Sequence, residues 1–338
     1  MASRSAAKLR TDRLVGLVGR VRELGLLVAL GIIVVVVGVQ EPRFATPNNA
    51  RQILLAVSIL AVLAVGQTLV VLTRNVDLSI ASIVGLVAYT AGYLFQQDID
   101  TPVPVVVLVA CLLGLGLGAI NGLLVTVGRV PAIVATLGTL YVFRGVDYWV
   151  AGGKQIVTRD LPRAYRDIAL TRVVGVPVPV IVAGLIAIVV AYALRYTRTG
   201  RQLYAIGSNP DAARLAGLRS DLLVFGAFAA SGLLAGVAGI LWGARFGAVD
   251  ARAAYGYELQ VVAAVVVGGV NIFGGSGTVF GAVLGAIVLG TIANSLTILR
   301  LNPFWLQAIS GAGILVAVTI DSLITRRLQR ALVARRNR

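Results

Sequence analysis

The chain of 338 residues has no histidine, one cysteine and one methionine. Without histidine there is no imidazole for proton relay or zinc ligation, and Cys111, inside an apolar run, cannot build a disulfide framework alone. Charge is scarce as well: Asp, Glu, Lys and Arg together make up 13% of the residues, too few and too scattered to gather the acids a catalytic pocket needs. The expectation is a protein that is not an enzyme, binds no metal and carries no cofactor of its own. Basic residues outnumber acidic ones by 30 to 14, and all but Lys8 and Lys154 are Arg. They are spread through tails and short connections with no aromatic-interleaved patch, so nucleic acid is not an expected partner. Two glycine clusters imitate nucleotide motifs and fail on context. Gly114, Gly116 and Gly118 lie within an apolar run with no strand before them, and Gly152-Gly153-Lys154 has Tyr148 where a phosphate loop needs its first glycine and Gln155 after the lysine.

What the chain has in excess is apolar surface: 58% of it is drawn from Ala, Val, Ile, Leu, Met, Phe, Trp, Tyr and Cys. Counting glycine in and tyrosine out raises this to about two-thirds, against about 45–50% in soluble domains. A lipid bilayer accommodates that excess and a single water-soluble core does not. Prolines, glycines and charges divide the chain into ten apolar runs, at 24–39, 52–73, 78–95, 104–127, 131–151, 177–194, 222–243, 258–273, 278–299 and 304–324. None alternates as a membrane strand would, so the expected fold class is all-α, a polytopic membrane protein of about ten helices. Ten crossings leave both termini on one side, which receives 19 of the basic residues against 10 on the other; the positive-inside rule makes that side cytoplasmic. The domains are then a basic tail over 1–23, a membrane domain over 24–325 and a second basic tail over 326–338. The segment 152–176 breaks the rule, carrying five basic residues on the outer side. Either it forms a small external subdomain, the reading favoured here, or the count of spans is off by one near it.

Glycines recur at every fourth residue in three places: Gly118 and Gly122; Gly232 and Gly236; Gly277, Gly281 and Gly285. That spacing aligns small surfaces on one helix face and lets a neighbouring helix come close, so these seven are expected to pack helices. Runs two to five and seven to ten would form blocks of opposite orientation, as in an inverted repeat that cradles a transport site, although the blocks share too little sequence to establish it. Polar groups within the runs are few. Asn75, Asp77, Ser79, Asn121, Thr136, Thr139 and Asn294 are candidates for lining the path of an uncharged, hydroxyl-rich solute. The neutral ones serve equally well as interhelical hydrogen bonds. Arg144 and Asp147, three apart on one helix face, read as an ion pair near the outer end. A relay of membrane carboxylates is missing, and only Asp77 or Glu258 could hold a coupling ion. An ion-gradient-driven carrier therefore stands as the alternative to transport powered by another subunit.

The longest inner connection, 195–221, contains Gly200, Gly207, Asn209, Pro210, Asp211, Ala212, Ala213, Leu215 and Gly217. Asn209 is an N-cap residue, Pro210 suits the first helical position, Asp211 complements the helix dipole and Gly217 suits the stop. The two-turn helix this predicts is too short to persist alone and needs a docking surface, either on this chain or on another protein. The loop resembles the ATPase-docking loop of ABC importer permeases. Asn75-Val76-Asp77-Leu78-Ser79, Val130-Pro131 through Thr139, and Gly256 through Gly277 are similar to elements of the ribose, rhamnose and autoinducer-2 branch of sugar permeases. Asn75 stands where that family usually has Gly. The resemblance implies a bacterial inner-membrane importer of two permease subunits, alike or different, worked by alternating access. It also implies a cytoplasmic ABC ATPase that binds ATP and Mg, an external sugar-binding protein, and a role for the Gly207–Gly217 helix in coupling.

Overall fold

The computed structural model describes residues 23–336. Apart from Glu23, the expected N-terminal tail over 1–23 lies outside the described residues, as do the last two residues of the expected tail over 326–338. Each apolar run is taken up by its own helix: α1 (Glu23–Gln40), α2 (Pro47–Leu72), α3 (Ile80–Gln97), α4 (Val103–Thr126) and α5 (Ala132–Ala151), then α7 (Val178–Tyr196), α10 (Ser220–Phe246), α11 (Tyr257–Val267), α12 (Val279–Ile298) and α13 (Trp305–Arg336). Three short helices occupy the long connections, α6 (Arg163–Leu170), α8 (Arg198–Ser208) and α9 (Pro210–Leu215), with a hairpin of β1 (Arg172–Val173) and β2 (Val176–Pro177) beside α6. Six helices, α1, α2, α4, α7, α10 and α12, are long and apolar enough to cross a membrane by length and composition. Helix starts follow the prolines: Pro47 opens α2 behind the Thr46 cap, and Pro102, Pro131 and Pro177 precede α4, α5 and α7. The eighth run is an exception. Its helix stops at Val267, because Gly268 and Gly269 lead into a turn that occupies 268–277.

Helix α2 is the hub. It is buried on nearly every side between α7, α10, α11 and α12, whereas α1 and α7 leave most of their apolar surface outward, as lipid-facing helices do. A close contact joins α4 to α10 along a stripe of glycines. A Cβ built on Gly232 would lie 2.7 Å from the Gly118 Cα, one on Gly118 would lie 2.8 Å from the Gly232 Cα, and one on Gly236 would lie 2.7 Å from the Ala110 carbonyl oxygen. Gly122 abuts Phe225, and Gly114 extends the stripe against Gly236. On the other side of the bundle, Gly281 and Gly285 of α12 lie against Gly268 and Ala264. Gly277 stands outside this stripe, at φ 136° in the turn before the Thr278 cap, where only glycine fits against Val270.

The packing has an internal correspondence. When α2 is exchanged with α10, α3 with α11, α4 with α12 and α5 with α13, the helix pairs map onto one another: α3 rests on α5 as α11 rests on α13, and α4 meets α10 as α12 meets α2. The connections fall into two ends. At one end the α5–α7 segment bridges the α10–α11 turn at Ile156 and Val249, and Arg51 reaches the Leu170 carbonyl. At the other, Arg129 pairs with Asp221, and Thr278 meets Glu23 at the start of α1.

Replacement of Gly232 by Val should push α4 and α10 apart and destabilise the protein by about 1–3 kcal/mol or more. The same change at Gly116, which has nothing within 4 Å, should leave stability unchanged. Melting temperatures of the two purified variants in detergent provide the comparison.

Candidate functional site

Between α2 and α3 the chain runs without helix through residues 73–79, yet Val76, Asp77 and Ser79 are buried in the bundle. Irregular backbone at such a place must find every hydrogen bond within the protein. Arg74 turns the chain with φ 67°, and the Asn75 amide donates back to the Val70 carbonyl. The Gln67 side chain, with its amide oriented to suit both partners, accepts from the Asp77 N–H and donates to the Asp77 carbonyl, each at 3.1 Å. Asp77 Oδ1 accepts from the Ser79 amide at 2.9 Å and its hydroxyl at 2.7 Å.

The network continues into two further helices. Asn121 of α4 donates to Ser79 Oγ at 2.7 Å and accepts from the Thr139 hydroxyl of α5 at 2.6 Å; Thr136 reaches the Val76 carbonyl at 3.2 Å. Of the seven residues proposed from sequence, Asp77, Ser79, Asn121, Thr136 and Thr139 therefore converge in one buried cluster. Asn75 sits at its edge, bonded to Thr73, and Asn294 lies near the far end, donating to Asn49 of α2. Gln67 escaped the sequence reading, although the one amide within the apolar stretch 53–72 of α2 is itself a signal. In this conformation the five converging residues are buried and bonded to one another, while Asp77 Oδ2 accepts no hydrogen bond.

Just below it the chain end of α2 is gripped from the surface. Arg74 donates through Nε to the Gly207 carbonyl and through Nη2 to the Ser208 carbonyl at 2.9 Å, while the Gly275 amide donates to the Leu72 carbonyl at 3.0 Å. Gly207 has no room for a side chain: a Cβ there would meet the Leu72 carbonyl and lie 2.5 Å from the Gly275 nitrogen. Gly200 is pressed likewise against the end of α7. Tyr204 of α8 donates to the Gly277 carbonyl at 2.9 Å, and burial raises its phenol above the ordinary value, so it remains a donor.

Helix α9 hangs from this junction. Asn209 Oδ1 accepts from the Ala212 amide at 3.0 Å, Pro210 takes the first position with Asp211 after it, and Gly217 turns the chain back at φ 76°. Ala213 alone is buried, whereas Leu215 is 91% exposed, an apolar knob on the surface. A cavity of about 750 Å³, lined by Leu69, Leu203, Leu218, Leu222 and Phe225, separates α8 from the start of α10. Arg129 clamps the start of α10 through Asp221 at 2.9 and 2.8 Å, and that hydrogen bonding pushes its guanidinium further up.

At the opposite end Arg144 is buried and donates to the carbonyls of Ala251 at 3.0 Å, Ala253 at 2.9 Å and Ala81 at 3.4 Å. The Asp147 carboxylate lies 3.6 Å away. The sequence spacing foresees the pair but not the carbonyls, which come from another part of the chain.

A family profile described as the permease component of a branched-chain amino acid transport system matches residues 49–318. The ribose import permease protein of Escherichia coli K12 is 36% identical over 298 residues, 88% of this chain and 92% of the relative. That of Haemophilus influenzae is 34% identical over 299 residues, with the same two shares. The autoinducer 2 import system permease protein of Escherichia coli K12 / DH10B is 35% identical over 311 residues, 92% of this chain and 90% of the relative. No solved structure matches.

Asn121→Ala should remove both interhelical bonds and lower stability by about 1–2 kcal/mol. Asn75→Ala, at the edge of the cluster, should lower it by less than half as much. Thermal unfolding of the two variants side by side distinguishes a connected cluster from independent bonds.

Proposed function

The chain belongs to the family of branched-chain amino acid transport system permease components, and on that premise we propose that it is the membrane-spanning subunit of an ATP-driven importer for a monosaccharide or similar small polyol. The names of its relatives support a sugar-like cargo. So does the buried cluster, whose groups are hydroxyls and amides around one carboxylate, suited to exchanging hydrogen bonds with a hydroxyl-rich solute. An amino acid would call for a partner for its carboxylate, and no cation lies in the cluster.

All ten apolar helices cross the membrane in this reading, with both termini cytoplasmic and 152–176 outside. The correspondence of helix pairs supports an inverted repeat of spans two to five and seven to ten. Helix α9 is the coupling helix, received by a cytoplasmic ABC ATPase that binds ATP and Mg. A sugar-binding protein delivers cargo from outside, and α6 with its hairpin, rich in arginine, offers it a surface. A second permease subunit completes the membrane part.

One observation carries the proposal: the junction of Arg74 with Gly207 and Ser208 ties the surface helix to the buried 73–79 segment. Force applied to α9 arrives within three residues of Asp77. The neighbouring cavity leaves the turn between α9 and α10 room to move. Alternating access then follows from displacement of a segment whose hydrogen bonds link α2, α4 and α5.

Leu215→Asp should abolish uptake in cells while membrane insertion and melting temperature stay unchanged, since the side chain touches little of this protein. Uptake at the wild-type rate would remove the coupling role of α9. Uphill accumulation by the purified chain alone in liposomes would favour the ion-gradient carrier instead.

A further inference from the structure

We propose that Arg144 is a two-position latch of the outer gate: its guanidinium holds the turn at 250–254 closed through backbone carbonyls, and falls back on Asp147 when the turn opens. The inference rests on the importer reading for the direction of transport, but the latch itself stands on the geometry.

A single guanidinium joins three parts of the chain. Arg144 belongs to α5, Ala81 to α3, and Ala251 and Ala253 to the turn that leads into α11. That turn is buried at Ala251, Ala253 and Ala254, and it ends in Gly256, at φ 84° a conformation that glycine adopts without strain, at the cap of α11. The site is built around the guanidinium, since a Cβ on Gly85 would lie 2.5 Å from Nη1 and 2.8 Å from the Ala253 carbonyl oxygen. Arginine suits the task because its planar fork serves several acceptors at once and never loses its charge.

Asp147 supplies the second position. It is fully buried, yet neither oxygen accepts a hydrogen bond, and at 3.6 Å it offers only attraction across a gap. A buried carboxylate with unused lone pairs beside a guanidinium engaged elsewhere is half of a bidentate pair. When the turn lifts away and takes its carbonyls with it, rotation of Arg144 onto Asp147 keeps the charge compensated. Without the carboxylate, opening would strand a cation in the membrane. Helix α11 carries the movement inward, because its far end enters the 268–277 turn that grips Leu72, so the latch and the coupling junction sit at two ends of one 11-residue rod.

The test uses membrane-impermeant maleimide on spheroplasts of cells that carry the whole importer, with Cys111→Ala and Ala251→Cys in the chain and ribose as the probe sugar. In the otherwise unaltered chain labelling should be slow and should rise about tenfold when the sugar-loaded binding protein is added. Arg144→Gln with Asp147→Asn removes the latch without stranding a charge, and should label fast with or without the binding protein. Asp147→Asn alone keeps the carbonyl bonds but abolishes the second position. It should label slowly in both conditions and lose ribose uptake at least about tenfold while remaining inserted. Transport by Asp147→Asn at the wild-type rate, or unchanged labelling in the double variant, overturns the latch. If the double variant fails to accumulate, the Asp147→Asn arm and the response of the unaltered chain decide. Failure of the importer reading would show separately, as wild-type uptake that survives loss of the ATPase, and the labelling without binding protein would still report on Arg144.

Discussion

Backbone that leaves the helical path inside a membrane protein has little water to turn to, and this protein has such a stretch packed into its bundle between α2 and α3. The 73–79 segment is satisfied by groups from four directions: the end of α2, the Gln67 side chain above it, and Asn121 and Thr136 from α4 and α5. Because these bonds have no substitutes, the helices that provide them are obliged to keep their positions relative to the segment. The scarcity of polar residues elsewhere in the bundle follows the same logic. Where helices are regular, glycine and apolar contact suffice.

Two arginines bring order to the two irregular turns. Arg74 holds carbonyls of α8 at one end of the molecule, and Arg144 holds carbonyls of the 250–254 turn at the other. Both use the guanidinium fork on backbone oxygen rather than on a tightly fitted carboxylate. A bond to a carbonyl anchors a turn without a second charge of its own, although at Arg144 the buried Asp147 still lies 3.6 Å away. Between them run α3 and α11, the helices that begin where each irregular stretch ends.

Much of this was legible in the residues themselves. Prolines 47, 131 and 177 mark helix starts, the Asn209-Pro210-Asp211 signature gives a helix of the expected length, and glycine spacing in α4 and α10 identifies a close contact before the partner is known. What escaped depends on distant parts of the chain. Helix α8 buries Gly200, Leu203, Ile206 and Gly207 along one face, but what that face docks on is set by Arg74, which lies 133 residues earlier than Gly207. Gln67 escaped because its partner is the backbone of Asp77, and a backbone group leaves no mark in a side-chain pattern. Asn294 shows the reverse case, a residue of similar chemistry that its helix places apart from the cluster, beside Asn49.

The meeting of α4 with α10 has a mechanical meaning beyond close approach. Most helix interfaces mesh like gears, each side chain lodged between others, so that any sliding must climb over the next tooth. Where Gly114, Gly118, Gly232 and Gly236 touch, there are no teeth. At these four positions backbone lies on backbone, side-chain contact resumes where Gly122 meets Phe225, and one helix carries Asn121 while the other continues from the α9 turn. Shear along this contact would pass from the α9 turn into the bundle without prying it open.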